Sequence, residues 1–394
     1  HTRWATHGEP NHKNAHPHID QSKKITLVHN GIVENYNSIK KFLLSKKIQF
    51  KSDTDTEVLV QLIGYFYNKG QLGFEESVRA ALQRVDGAYG IVVLNIDFPE
   101  MMIAARKGSP LVLGLKQGEF FIASDISPII KHTKEIIYLN EGEMIVINKE
   151  KYEIKSVNKN LVLPKKIETI DIKIEDFEKG NFDYFMHKEI HEQSDTILNT
   201  FRGRALKDDI LLSGVSDYWK DIENAERIYI TACGTSWHAG LIGKKLIEKF
   251  ARVPVHVEYA SEFRYNTSLI NKKTIVIGIS QSGETADTLA AINKAKDLGA
   301  LTIGICNVAG SSISRITDCG VFTRCGHEIG VASTKAFTGQ ISVLYLFALK
   351  LAYSKRTISK LSLVNHIKDE YDLAKRIKSV LMMEDTIKKI AVKY

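Results

Sequence analysis

An apolar, β-branched run from Thr274 to Ile279 passes straight into Ser280-Gln281-Ser282-Gly283-Glu284-Thr285 and then into a helical pattern from Ala286 to Leu298. That order reads as a buried parallel strand delivering a polar loop to a helix N-terminus. The chemistry of such a junction is anion binding, because free backbone N–H groups and the positive end of the helix dipole favour a phosphate. Ser280, Ser282 and Thr285 add hydroxyl donors, and Gly283 lets the backbone come close. The loop has no lysine and fits neither the P-loop nor the dinucleotide glycine spacing, which disfavours a nucleoside triphosphate or NAD. A sugar phosphate is the better match. The competing reading is a serine-rich helix cap without a ligand.

Two further loops of the same kind accompany it. Arg227 to Ala232 reads as another buried strand ending in Cys233-Gly234-Thr235-Ser236, with a helix from Trp237 through Phe250. Gly330-Val331-Ala332-Ser333-Thr334-Lys335-Ala336-Phe337 opens a long apolar helix to about Tyr353. Strand-loop-helix units with hydroxyls at the strand ends point to one pocket at the carboxyl edge of a doubly wound sheet. These three loops, with Ala260-Ser261-Glu262-Phe263-Arg264-Tyr265, resemble the first sugar isomerase (SIS) domain of the glutamine–fructose-6-phosphate aminotransferase family. The resemblance implies phosphate and sugar contacts from Thr235, Ser236, Ser280, Gln281, Ser282 and Thr285, with Val331 and Ser333 nearby.

The amino-terminal third carries an independent resemblance. His1-Thr2-Arg3-Trp4-Ala5-Thr6-His7-Gly8, His16-Pro17-His18, His29-Asn30-Gly31-Ile32-Val33-Glu34-Asn35 and Ser52-Asp53-Thr54-Asp55-Thr56-Glu57 are similar, in order, to the class II glutaminase domain of the same family. Asn30 ends an apolar strand, Ile25 to His29, and with the Gly31 N–H it offers two donors to the oxyanion formed when a thiolate attacks the glutamine amide. Arg3 suits the carboxylate of a free amino acid by a bidentate pair, and Asp55 suits its ammonium. The resemblance also implies that Trp4, Thr6 and His7 line the glutamine pocket, and that Trp4 gates an ammonia channel to a second active site.

A class II glutaminase uses an amino-terminal cysteine as nucleophile and its own α-amino group as base. The chain begins at His1, and Cys233, Cys306, Cys319 and Cys325 all lie in the later half. The expectation is a front segment carrying the nucleophile, and a second SIS domain after Tyr394 supplying the isomerisation base, the ring-opening histidine and the Schiff-base lysine. The histidines His1, His7, His12, His16, His18 and His29 are crowded, but no cysteine or carboxylate array completes a ligand set, so no metal is expected. Asp53 and Glu57 read as helix-capping charge before the amphipathic Val58 to Tyr67 segment.

At 394 residues, 44% hydrophobic and 25% charged, the chain can build two or three domains with cores. No apolar run approaches the ~20 residues of a membrane span, and the dispersed cysteines point to a reducing, cytoplasmic setting. The net charge of +8 comes from scattered lysine pairs such as Lys40-Lys41, Lys46-Lys47 and Lys165-Lys166 rather than from a nucleic-acid motif. Closely spaced strand-like runs at Gly90 to Asn95, Met101 to Arg106, Leu111 to Leu115, Glu119 to Ala123 and Ile136 to Leu139 form an antiparallel pattern. That pattern suits the αββα sandwich of the amino-terminal nucleophile hydrolases, which the resemblance implies.

The expected organisation is a class II glutaminase domain over 1–164, a charged linker over 165–181, a doubly wound parallel-sheet SIS domain over 182–383 and the start of a second over 384–394, with Ile390-Ala391-Val392 as its first strand. The resemblance implies an isomerising transaminase that takes glutamine and fructose 6-phosphate to glutamate and glucosamine 6-phosphate. It implies no cofactor, no nucleic-acid or membrane partner, and a homodimer or higher homo-oligomer. A non-catalytic SIS-domain sugar-phosphate sensor is the alternative, and the glutaminase block argues against it because a sensor needs no ammonia source. A class II amidotransferase acting on a phosphoribosyl substrate would need a diphosphate-binding loop that the sequence does not offer.

Overall fold

The computed structural model describes residues 7–149, 151–159, 161–169, 178–266 and 269–394. The chain forms two compact units, His1–Ile174 and Glu175–Tyr394. Their boundary falls within the expected linker.

In unit 1, β1 (His18–Ile19), β2 (Ile25–Val33), β3 (Gly87–Asn95), β4 (Met101–Lys107), β8 (Glu143–Asn148) and β9 (Lys151–Ser156) form a sheet in the order β1-β2-β3-β4-β8-β9. A second sheet has the order β10-β7-β5-β6, from β5 (Val112–Lys116), β6 (Glu119–Ala123), β7 (Glu135–Tyr138) and β10 (Glu168–Thr169). All of these pairings are antiparallel. Glu168 and Thr169, expected in the linker, are therefore the edge strand of this sheet.

Side chains alternate between two cores, as the pleat requires. Leu27, Ile91, Val93, Ile103 and Ala105 pack with buried residues of α1 (Tyr36–Ser45), α2 (Asp55–Asn68) and α3 (Phe74–Leu82). Ala104, Ile145 and Ile147 face Leu113, Leu115 and Ile137 of the second sheet. The outer face of that sheet is covered by hydrogen-bonded turns carrying Ile126 and Ile129. The layers run helix, sheet, sheet, with a reduced fourth cover.

Unit 2 opens with α4 (Phe185–His191), α5 (Gln193–Phe201) and α6 (Trp219–Glu223). Then come β11 (Arg227–Ala232), α7 (Gly234–Ala251), β12 (Val255–Tyr259), α8 (Ala260–Phe263), β13 (Thr274–Ser280), α9 (Ala286–Asp297), β14 (Leu301–Cys306), α10 (Ser312–Ile316) and β15 (Cys319–Phe322). The five strands are parallel in the order β12-β11-β13-β14-β15. Every residue of β13 is buried, as expected of a strand covered on both faces. Ile228, Ile230, Ile275, Ile277 and Ile279 face the main core, while Tyr229 and Val276 face the smaller core with Phe263 and Ile292.

The chain ends in α11 (Lys335–Ser354), α12 (Lys360–Leu381) and α13 (Glu384–Lys393). Three sequence expectations change here. The helix α11 is 20 residues long with mean hydropathy 1.3, long and apolar enough to cross a membrane, yet 67% of that stretch is buried inside unit 2. It is a core helix packed with α7 residues. Ile390, Ala391 and Val392 lie in α13 rather than a strand, because Ile387, Ile390 and Ala391 recur at helical spacing and Glu384 and Asp385 complement the dipole in the first turn. In unit 1, β2 continues through Asn30 and Gly31 to Val33, because β3 supplies paired residues from Gly87 to Gly90 along that stretch.

Candidate functional site

With this order the chain reverses the direction in which it adds strands between β11 and β13, and ligands of open α/β sheets bind at the carboxyl ends flanking such a reversal. The two hydroxyl-rich loops leave the sheet there. Ala232, the last residue of β11, is in register with Ile279 of β13, so the loops 233–236 and 280–285 start side by side.

The second loop is braced from within. The Ser280 hydroxyl accepts from the Gly283 N–H (3.0 Å) and lies 2.9 Å from the Thr285 hydroxyl. The Ser282 hydroxyl accepts from the Glu284 N–H at 3.2 Å and keeps its own proton to donate. The loop is also braced from outside: Glu284 accepts from the Ser312 N–H and hydroxyl, both 2.8 Å, and the Gly283 carbonyl accepts from the Ile313 N–H. Gly283 has φ +68°, and a Cβ there would lie 2.1 Å from the Ser311 hydroxyl oxygen. Only glycine fits that position.

Neither helix that follows is capped by its own N-cap side chain. Cys233 of α7 and Thr285 of α9 make no such hydrogen bond, so first-turn N–H groups are available to a ligand. Asp287, in the first turn of α9, is paired with Arg264 at 2.9 Å, which offsets its repulsion of an anion. Ser236 is buried and accepts from the Gln340 side chain at 3.0 Å, tying α7 to α11. Thr235 is exposed, and Gln281 is partly so.

The third loop differs. Its helix N-terminus is already filled by the Glu328 carboxylate, which accepts from the Thr334 N–H (2.8 Å), the Ala336 N–H (3.1 Å) and the Ser333 hydroxyl (2.8 Å). Glu189 of α4 accepts from the Ile329 N–H at 2.5 Å and the Gly330 N–H at 3.0 Å, and Glu192 pairs with the buried Lys335 at 2.6 Å. Val331 is therefore held on a fixed loop while standing 96% exposed. An anion fits the first two loops better than this one. Sequence reasoning missed Glu189, Glu284 and Glu328 as anchors of these loops, although Glu284 lies within the Ser280–Thr285 loop itself.

In unit 1, Arg3, Trp4 and Thr6 lie outside the described residues. The Asp55 carboxylate is buried, accepts from the Val33 N–H at 2.8 Å and lies 3.9 Å from His7 Nδ1. Asn30 is exposed on β2, and Gly31 beside it has φ +140°. The crowded histidines are woven into hydroxyls: His29 Nδ1 lies 3.0 Å from Thr56 Oγ1, His18 Nε2 lies 3.0 Å from Thr54 Oγ1, and His16 Nδ1 accepts from the His29 N–H at 3.1 Å.

The expected charge caps resolve differently. Thr54 is the N-cap of α2, accepting from the Glu57 N–H, while Glu57 turns back to the N–H groups of Lys51 and Ser52. Asp53 makes only a 3.5 Å pair with Lys13 among the described ion pairs.

Burial lowers the pKa of His29, and the Asp55 charge and the Ala88 carbonyl only partly offset this. A histidine held neutral in the folded state leaves the unfolded chain binding more protons just below pH 6.5, so stability falls as pH drops through that value. Urea unfolding of unit 1 is expected to weaken from pH 7.5 to 5.5, and His29→Gln should flatten that slope. An unchanged slope in the variant would remove His29 as its source.

None of the four cysteines is poised as a nucleophile. Burial pushes Cys306 and Cys325 up to about 11 and Cys319 up to about 12, and raises Cys233 as well.

Residues 1–131 match a family model described as a glutamine amidotransferase domain, and residues 221–350 match one described as an SIS domain. Two curated relatives, both called glutamine–fructose-6-phosphate aminotransferase [isomerizing], are each 50% identical to the chain: that of Chlorobaculum tepidum over 100% of it and that of Bacteroides thetaiotaomicron over 99%. In each case the chain spans 64% of the relative's length. The solved C-terminal domain of glucosamine-fructose-6-phosphate aminotransferase from Francisella tularensis is 37% identical, with a TM-score of 0.53, over 54% of this chain and 60% of that one.

Proposed function

Because the chain belongs to the glutamine–fructose-6-phosphate aminotransferase family along the length it spans, we propose that it serves in the transfer of the glutamine amide nitrogen to fructose 6-phosphate, giving glutamate and glucosamine 6-phosphate. The observation that carries the reading is a glutaminase-type unit followed, on one chain, by a parallel sheet with two uncapped helix N-termini at its point of reversal.

Glutamine is held by its ends, Arg3 on the carboxylate and Asp55 on the ammonium, with Trp4, Thr6 and His7 around it. Attack of the family's amino-terminal cysteine thiolate on the side-chain amide puts negative charge on the carbonyl oxygen. Asn30 and the Gly31 N–H are the donors for that charge. Collapse of the adduct expels ammonia and leaves a thioester, which water cleaves to glutamate. Ammonia then passes internally, gated by Trp4, to the C2 carbonyl of ring-opened fructose 6-phosphate, and the imine rearranges to the aldose amine.

For the sugar phosphate, Ser282 and the first turn of α9 supply donors to the dianion. Ser280 and Thr285 hold the loop, and Thr235, Ser236 and Gln281 complete the contacts. Val331 and Ser333 border the sugar. No cofactor enters this scheme. The reaction belongs in the cytoplasm, where its phosphorylated substrate is retained, and a homodimer or higher homo-oligomer is the assembly proposed for it.

Ser282→Ala tests the assignment. It should weaken fructose 6-phosphate binding by about 1.5 to 3 kcal/mol, the range for a hydrogen bond to a charged group. Fructose without phosphate should be indifferent. Equal losses for both sugars in calorimetry would count against a phosphate role for this hydroxyl.

A further inference from the structure

His187 and His191 stand one turn apart on α4, and both face Glu384, the first residue of α13. His187 Nε2 lies 2.6 Å from one carboxylate oxygen and His191 Nε2 lies 3.0 Å from the other. One ligand atom from each of the three residues falls within 4.8 Å of the others. The Phe182 ring packs against both imidazoles, with centroids 5.0 and 5.2 Å away, and limits how far they can turn. All three side chains remain between 29% and 46% exposed, so an ion can reach them from solvent.

We propose that His187, His191 and Glu384 form a zinc-class metal site that staples α13 to α4. Two imidazoles at i and i+4 with one carboxylate are the ligand set of three-coordinate protein zinc sites whose fourth position holds water. Tetrahedral ligands about 2.0 to 2.1 Å from zinc stand roughly 3.3 Å from one another. Small rotamer changes bring the present nitrogens and oxygens to that spacing. The donors are borderline nitrogen with a single carboxylate, which selects zinc, cobalt or nickel over magnesium and calcium. This departs from the sequence expectation of no metal.

The site has a mechanical consequence. No other side-chain hydrogen bond or ion pair joins α13 to the rest of unit 2 among the described residues, and no α13 side chain is buried. The same short helix α4 carries Glu189, which fixes the Ile329–Gly330 backbone. An ion at His187, His191 and Glu384 therefore fixes α13 and steadies the helix that holds the third loop. The inference does not depend on the proposed activity.

The test is zinc titration of the purified, EDTA-stripped chain against a chromophoric chelator, followed by cobalt(II) spectroscopy. One equivalent of zinc should bind, cobalt should give the intense visible bands of tetrahedral coordination, and magnesium and calcium should compete for neither. His187→Gln, His191→Gln and Glu384→Gln should each weaken zinc binding about tenfold or more. The same variants should melt like the parent in EDTA, because the side chains are exposed. His16→Gln and His18→Gln should leave zinc binding unchanged. Absence of a bound equivalent, parental zinc affinity in the His187→Gln, His191→Gln and Glu384→Gln variants, or loss of zinc in the unit 1 variants would each overturn the site.

Discussion

Gly283→Ala is expected to abolish fructose 6-phosphate binding and to destabilise unit 2 by about 2 to 5 kcal/mol. A left-handed conformation at a non-glycine residue costs about 1 to 2 kcal/mol, and forcing a methyl into filled space adds about 1 to 3. Both act here, since φ is +68° and the new Cβ meets the Ser311 hydroxyl oxygen at 2.1 Å. Ser311 is itself buried and precedes Ser312, the partner of Glu284, so relief by moving Ser311 disturbs the brace that shapes the loop. Chemical unfolding followed by tryptophan fluorescence reads the stability, and calorimetry reads the binding. A variant with parental stability and parental affinity would show that the loop does not need its left-handed turn.

The second large effect is expected at Gly31. Alanine there combines φ +140° with a Cβ 2.1 Å from the Ala88 carbonyl oxygen, on the neighbouring strand β3. The strain of a conformation that other residues avoid costs about 1 to 3 kcal/mol, and the clash with a backbone atom cannot be relieved by a rotamer change. Unit 1 should lose about 2 to 6 kcal/mol when the about 1 to 3 kcal/mol of overpacking is added, as β2 and β3 separate locally.

Asn30→Ala next door provides the contrast. Asn30 is exposed, so folding should be nearly unaffected, whereas glutamine hydrolysis by the active enzyme should fall about 10²- to 10³-fold if its amide is an oxyanion donor. Assaying hydrolysis and unfolding together separates the roles. A stable Gly31→Ala variant, or an Asn30→Ala variant with parental turnover, would reject the corresponding assignment.

The sequence disclosed those features whose physics is local. A β-branched run that must be buried on both faces, followed by small hydroxyl residues and an amphipathic stretch, marks β13, its loop and α9 within a residue or two. Arg227 to Ala232 behaves in the same way. Two of the acids that fix the loops stayed hidden because their partners are remote: Glu189 reaches Ile329 and Gly330, and Glu284 reaches Ser312. Nothing in the spacing of a glutamate reveals which distant backbone it will satisfy.

Glu57 and Asp53 were indistinguishable as charges near a helix start, yet one is buried against backbone donors and the other is exposed to solvent. The stretch Ile390 to Val392 misled because a short apolar run supports either period until its flanks are weighed, and here Glu384 and Asp385 favoured the helix. The length of β2 was likewise decided by the strand beside it rather than by its own residues.

The brace between Glu284 and Ser312 sets the timing of recognition as well as its geometry. A loop whose turn is hydrogen-bonded to the first residue of α10 before any ligand arrives has little left to order on encounter. Its conformational entropy is lost during folding rather than during association. Rapid mixing with a sugar phosphate should therefore show one concentration-dependent phase, with no slower step for loop closure, and relatives of the ligand should differ in how long they stay rather than in how fast they arrive.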